Sequence, residues 1–399
     1  MTSPQCAEPQ ASMWRVVPAL GVTQIVGWGS LYYSIAVLAK PMAESLQTSP
    51  SVAFGAFSAS LVVSGLAAPL MGRAIDRHGG RRVLSLGSVC AALALALVAS
   101  AQHLAVFIVG WLLAGVAMAA CLYDAAFPAL GQLAGLRYRS ALTALTLFGG
   151  FASTVFWPLV QYLQTTWDWR VAMWVLAALQ VLVGLPLHLW GLAGPRWRPP
   201  DARPVEESVA PSANPPGFLW LAAALSANAF VFSAVGAHVV GALNVASGSV
   251  REAVWTAALI GPMQVAGRIV EFTFGRHWSA VRVGAVALVV TLASMLLLYL
   301  AGAATWTPLI FAVCYGAANG VMTIVRGTVP AELFGRERYG HLLGKLARPS
   351  FFAKAAAPLA VSLLLTSAGY DAMAVLLAGI SFFAAWGYRR ALRANVESR

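Results

Sequence analysis

An all-α membrane protein with twelve transmembrane helices in two six-helix, pseudo-symmetric halves is the fold class this sequence predicts, on three observations. Charged residues make up 10% of the chain, where soluble domains hold roughly 25%. Hydrophobic residues make up 59% of 399, enough for about twelve spans at roughly 20 apolar residues each. The apolar runs are continuous, without the ten-residue alternation of barrel strands, and helices then satisfy the backbone in lipid. A soluble enzyme, a disordered protein and a nucleic-acid binder are excluded, although a net charge of +12 would suit the last.

The spans follow in order. Residues 1–13 hold two prolines, two glutamines and Glu8, with no basic start or small-residue cleavage site, so the first apolar run, 14–39, is read as a retained helix. Span 2 covers 51–72 and runs into Gly72-Arg73-Ala74-Ile75-Asp76; span 3, 83–101, begins after Arg81-Arg82. Span 4 is 104–131, span 5 is 138–163 and span 6 is 170–193. Residues 194–216, rich in Pro, Ala, Ser and charge, form the longest connection and separate an N-terminal half, 1–193, from a C-terminal half, 217–399. Spans 7 to 12 are placed at 217–243, 250–275, 281–303, 306–333, 340–367 and 370–388. At a 1.5 Å rise each can cross, some with tilt.

Sorting the 26 basic residues orients the chain. With the N-terminus inside, eighteen fall on the inner side, while Lys40, Arg170 and Arg251 are the three outside. Both termini are therefore expected in the cytoplasm. The remaining five, Arg268, Arg326, Lys345, Arg348 and Lys354, lie within or at the edge of spans.

Transporters built from two six-helix halves should show similarity at an offset near 200 residues. Tyr123 to Ala129 in span 4 lies against Val325 to Ala331 in span 10, with Pro128 opposite Pro330 and Asp124 opposite Arg326. Trp157-Pro158-Leu159 in span 5 matches Ala357-Pro358-Leu359 in span 11, and Gly72-Arg73 matches Gly267-Arg268 in span 8. Three matches in order at nearly one offset indicate an internal repeat.

The sharpest motif is Gly72-Arg73-Ala74-Ile75-Asp76-Arg77-His78-Gly79-Gly80-Arg81-Arg82. Gly72 would permit close helix approach, Gly79 or Gly80 a turn with positive φ, and Asp76 could cap the next helix or pair with an arginine. This run resembles the loop 2–3 signature of the major facilitator superfamily, with Gly80 where that family usually has a basic residue. The resemblance implies a bacterial secondary transporter, in which Gly72, Asp76, Arg77, Gly79 and Arg81, with Glu271 in the second half, form a charge latch on the inner face and Asp124 is a partner for it. It also implies that spans 1, 4, 7 and 10 line the solute path.

Ionisable groups at membrane depth need a partner or a water-filled cavity. Polar stripes at helical spacing give the candidates: Gln24, Trp28 and Tyr32 on span 1; Asn228 and His238 on span 7; Gln264, Arg268 and Glu271 on span 8; Tyr315, Asn319, Thr323, Arg326 and Pro330 on span 10; Phe351, Lys354 and Pro358 on span 11. Substrate binding or translocation is assigned to Gln24, Trp28, Tyr32, Asp124, Asn228, Gln264, Arg268, Asn319, Arg326 and Lys354. Each has a structural alternative. Asp124 and Arg326 could pair across the halves, Arg268 could pair with Glu271, Lys354 could snorkel, and Gln24, Trp28 and Tyr32 could simply pack.

The mid-depth positives favour an anionic solute. Without a GxxxxGK[ST] phosphate loop, an ion gradient must drive transport; H+ is expected, with Asp124, Glu271 and His238 as possible carriers. Two other readings stand beside this one: efflux of a drug or metalloid-type toxicant, and a transporter-fold sensor without transport. Cys6, Cys90, Cys121 and Cys314 lack metal-ligand spacing, and neither His-Glu-x-x-His nor Gly-x-Ser-x-Gly occurs, so no enzyme, metal or cofactor is expected. The arginine-rich, alanine-rich composition suits a GC-rich bacterium. A monomer in the bacterial inner membrane, taking a small-molecule substrate and no nucleic acid, is the expectation.

Overall fold

The computed structural model describes residues 13–134, 137–193, 214–274, 277–335 and 339–397; the expected linker at 194–216 falls mostly outside them. Among the described residues twelve helices, α1 to α12, correspond to the twelve spans. α1 is a bent pair, Met13–Tyr33 and Ile35–Ser45, meeting at 41°. Next come α2 (Pro50–His78), α3 (Gly80–Ala99), α4 (Leu104–Ala134), α5 (Ser140–Thr166) and α6 (Trp169–Gly191). The second half holds α7 (Phe218–Ser247), α8 (Val250–Thr273), α9 (Ala280–Tyr299) and α10 (Thr307–Phe334). A final helical stretch, Tyr339–Glu397, is 59 residues long. Unbroken, it would extend roughly 88 Å, twice a bilayer of about 40–45 Å. Gly369, at φ 73° and ψ −174°, divides it into α11 and α12, between the ends read from the sequence.

The core has a lopsided layout that positions the site. On the face opposite the N-terminus, here the far face, Leu31, Phe57 and Trp111 of the first half share one cluster with Val235, Phe311 and Val361 of the second. Toward the N-terminal face the core divides. Val16, Leu20, Leu84 and Leu130 pack within one half, and Phe218, Leu221, Leu288 and Tyr388 within the other. Hydrogen bonds between the halves reinforce the far side: Ser51 to Ser362 at 3.0 Å, the Leu359 amide to Ser58 Oγ at 3.1 Å, and Tyr32 OH to Ser233 Oγ at 3.2 Å. The halves are joined at the far face and parted at the N-terminal face.

Several helices break at mid-depth. α1 carries a π-turn at Gly29–Tyr33, α4 is interrupted at Leu122, whose ψ is −165°, and α5 bends at Phe151. Backbone freed from its ladder is tolerated in lipid only when it is buried in protein or lines a cavity, and these three breaks surround one.

The loop joining α2 to α3 corrects the sequence reading at one glycine. Gly79 takes the positive φ, 83°. The close approach, however, is at Gly80, where an added Cβ would sit 2.3 Å from the Ala129 Cβ, whereas at Gly72 it would meet nothing within 4 Å. Gly79, the N-cap residue of α3, has no side chain with which to cap it. Gln132 on α4 does so: its Oε1 accepts from the Gly80 amide at 3.0 Å while its Nε2 donates to the Ile75 carbonyl at 2.9 Å. Two hundred residues later Glu332 on α10 accepts from the Ala280 amide at the start of α9, at 2.8 Å. The repeat therefore extends to the side chain that caps the third helix of each half.

Gly80→Ala is expected to lower stability by about 1–3 kcal/mol through overpacking, and Gly79→Ala by about 1–3 kcal/mol through backbone strain. Gly72→Ala should stay within about 0.5 kcal/mol of wild type. Thermal unfolding of the three purified variants checks the order; a Gly72 variant as damaged as Gly80→Ala would contradict it.

Candidate functional site

Where the shared core gives way to the divided one, a cavity of about 110 Å³ opens between the halves. Trp28 and Tyr33 of α1, Tyr123 of α4, and Gly149 and Gly150 of α5 line it from one half. Asn228 and Phe232 of α7, Gln264 and Arg268 of α8, Asn319, Met322, Thr323 and Arg326 of α10, and Lys354 of α11 line it from the other. Seven of the ten residues assigned to the path from sequence thus share one cavity: Trp28, Asn228, Gln264, Arg268, Asn319, Arg326 and Lys354.

The other three lie elsewhere. Gln24 is fully buried, its Nε2 donating to the Cys121 carbonyl at 2.8 Å. Tyr32 is also buried and bonds to Ser233. The reason is the π-turn: a π-helix adds a residue to the turn, so the side chain that lines the cavity after Trp28 is Tyr33, at i+5, where an unbroken α-helix would place Tyr32. Asp124 is exposed on α4 just beyond the break at Leu122, within Coulomb range of Lys354. Tyr33, Tyr123, Phe232 and Met322 are lining residues that the sequence reading missed. Phe232 could have been found, since it lies one turn from Asn228.

The charges divide into engaged and unengaged groups. Arg268, 5% exposed, donates from Nε to the Gly320 carbonyl at 3.1 Å and from Nη2 to Thr323 Oγ1 at 3.0 Å, and from Nη1 to the Thr146 carbonyl on α5. It ties α8 to α10 and one half to the other. Lys354 instead holds its ammonium over three rings, 4.8 Å from the centre of Tyr32, 4.9 Å from Trp28 and 5.8 Å from Phe232, a cation–π box. Arg326 is half-buried, in the neighbourhood of Tyr32 and Tyr315. Among the described residues neither Lys354 nor Arg326 has a hydrogen-bond acceptor or an ion-pair partner within 4.0 Å, and Asp124 and Arg326 form no pair.

His238 is outside the cavity, with Nε2 donating to the Pro358 carbonyl at 2.9 Å and its ring 4.1 Å from that of Phe54. Asp76, Arg77 and Arg81 are exposed at the N-terminal face, and Glu271 is half-buried near the end of α8. Cys90, Cys121 and Cys314 are not among the cavity-lining residues.

A family model described as Major Facilitator Superfamily matches residues 20–271. Solved structures share the fold over nearly the whole chain. One is a bacterial homolog of the human lysosomal transporter Spinster, inward-facing and unoccupied, with 16% identity and a TM-score of 0.73 over 97% of this chain and 98% of that one. Another is the nucleoside transporter NupG, with 14% identity and a TM-score of 0.74 over 95% and 100%. A third is the human organic anion transporter MFSD10 (TETRAN), with 17% identity and a TM-score of 0.67 over 95% and 100%. No curated protein sequence matches the chain.

Proposed function

The chain belongs to the Major Facilitator Superfamily, a family of membrane transporters, and from that premise we propose that it carries a small organic anion across the bacterial inner membrane by alternating access, coupled to protons. The structural relatives are described as handling different solutes, so the substrate class is argued from the cavity. Two cations, Lys354 and Arg326, face that cavity without a hydrogen-bonded or ion-paired acceptor, and this observation carries the reading. An uncompensated cation at membrane depth is expensive, and a carboxylate-bearing solute supplies the missing charge. Aromatic Trp28, Tyr33, Tyr123 and Phe232 suit an apolar body behind it.

Asp124 gives the coupling. As a carboxylate it offsets the charge of Lys354; once protonated it leaves Lys354 to the solute, so proton and anion travel together. The Asp124→Asn variant should keep anion exchange between equal pools in proteoliposomes but lose accumulation driven by a pH gradient. If the gradient still drives accumulation, Asp124 is not the carrier.

Ligand-dependent thermal shifts of the purified protein test the substrate class. Carboxylates are expected to raise Tm, and a panel in which only cations or neutral amphiphiles do so would sink the reading. With the N-terminal face cytoplasmic, as the basic residues require, cysteine at Arg137 should label from inside and cysteine at Gly302 from outside. The reverse pattern would invert the topology.

A further inference from the structure

Beyond the central cavity, toward the far face, lies a second chamber of about 10 Å³ that shares Tyr33, Phe232, Gln264 and Asn319 with it. Trp157, Val235, Gly236 and Ile260 close its other side. Its volume is that of one water-sized group. No charged side chain lines it, but Ser153 and Tyr315 bring hydroxyls into it beside the two shared amides.

Ser153 is the unpartnered member. Several buried serines bond to their own helix, Ser30 to the Val26 carbonyl, Ser34 to Ser30, Ser60 to Phe57 and Ser294 to Val290, at 2.6–2.7 Å; Ser85 and Ser381 share the lack of a partner but line neither chamber. Ser153 is 1% exposed and its Oγ has no partner. Its i−4 residue, Gly149, lies on the other side of the break at Phe151. An unsatisfied buried hydroxyl is costly, and here it borders a chamber that holds one oxygen.

The geometry points to a neutral subsite of the solute path, in which the chamber receives a hydroxyl or keto oxygen at the end of the solute remote from its carboxylate. The inference rests on the anion reading above and narrows it to a hydroxy- or oxo-carboxylate. The spacing suits one molecule: Arg326 and the shared Asn319 lie seven residues apart on α10, roughly 10 Å of helix axis, about the reach of a phenyl ring with a carboxylate arm. A methyl group in the chamber would leave Ser153 unpaired, and a second carboxylate would lack a cation there.

Three matched probes, phenylacetate, 4-hydroxyphenylacetate and 4-methylphenylacetate, test this by titration against purified wild-type protein and the Ser153→Ala and Arg326→Ala variants. Ser153→Ala should fold as wild type, since it deletes an unpartnered hydroxyl. The hydroxylated probe is expected to bind wild type about fivefold to tenfold tighter than either companion. Ser153→Ala should erase that advantage while leaving phenylacetate unchanged, and Arg326→Ala should weaken all three. Equal affinities in wild type, or an advantage that survives Ser153→Ala, overturns the subsite and leaves the anion site standing. If none of the three binds wild type, the anion reading fails and the subsite with it.

Discussion

Replacing Lys354 with methionine is expected to cut anion transport by about 100-fold or more while leaving the fold at least as stable. Methionine keeps the length and packing of the stem and removes the charge. Truncating one member of a buried, hydrogen-bonded charge pair costs about 2–5 kcal/mol, and the pair in question is the one proposed between Lys354 and the solute. Among the described residues Lys354 has ring faces around it and no hydrogen-bond acceptor, so removing it leaves no orphaned carboxylate within 4.0 Å. Deleting a half-buried charge that has no ion pair within 4.0 Å also relieves part of its desolvation cost. Uptake in proteoliposomes and Tm of the same preparation separate the two effects. Wild-type uptake by Lys354→Met would remove Lys354 from the solute site.

Arg268→Ala should behave in the opposite sense, losing stability first. The guanidinium satisfies the carbonyls of Gly320 and Thr146 and the hydroxyl of Thr323, and in a low-dielectric interior these acceptors have little water to turn to. Leaving a buried acceptor unsatisfied costs about 1–3 kcal/mol, enough to lower Tm by several degrees. Arg268→Lys should rescue little, because a single ammonium cannot reproduce the planar fork that reaches α5 and α10 together. Unfolding temperatures with detergent and lipid held fixed are the readout. An Arg268→Ala protein as stable as wild type but unable to bind carboxylates would make Arg268 a solute ligand and the tie incidental.

Arg268 and Lys354 show where legibility ended. Both were visible as charges in apolar runs, since a charge there is conspicuous whatever the fold. Pair partners are not local, however, and Arg268 found carbonyls on α5 and α10 instead of Glu271 three residues away. Tyr32 and Tyr33 show a second limit. Helical periodicity places Tyr32 with Trp28, and a single π-turn moves that role to Tyr33; no residue in Gly29–Tyr33 announces the extra residue in the turn. The Gln132 and Glu332 caps were hidden because one is an amide and the other an acid, and only their partners, the amides that open α3 and α9, reveal them as equivalent. The sequence points to Gly72 for close packing and the fold uses Gly80, because a glycine's neighbours in space are not written beside it.

The sequence by itself determined the helices and their order, and it carries the expected orientation and the internal repeat. Those follow from sums over neighbouring residues: apolar area against bilayer thickness, and basic residues counted by loop. Tertiary structure alone decided which face is closed, where helices break to open a cavity, and which cations of the cavity have no hydrogen-bond acceptor among the described residues. These depend on how distant segments share one core, and a bend or a swapped hydrogen-bond partner changes them at an energetic cost far too small to leave a mark on composition or spacing.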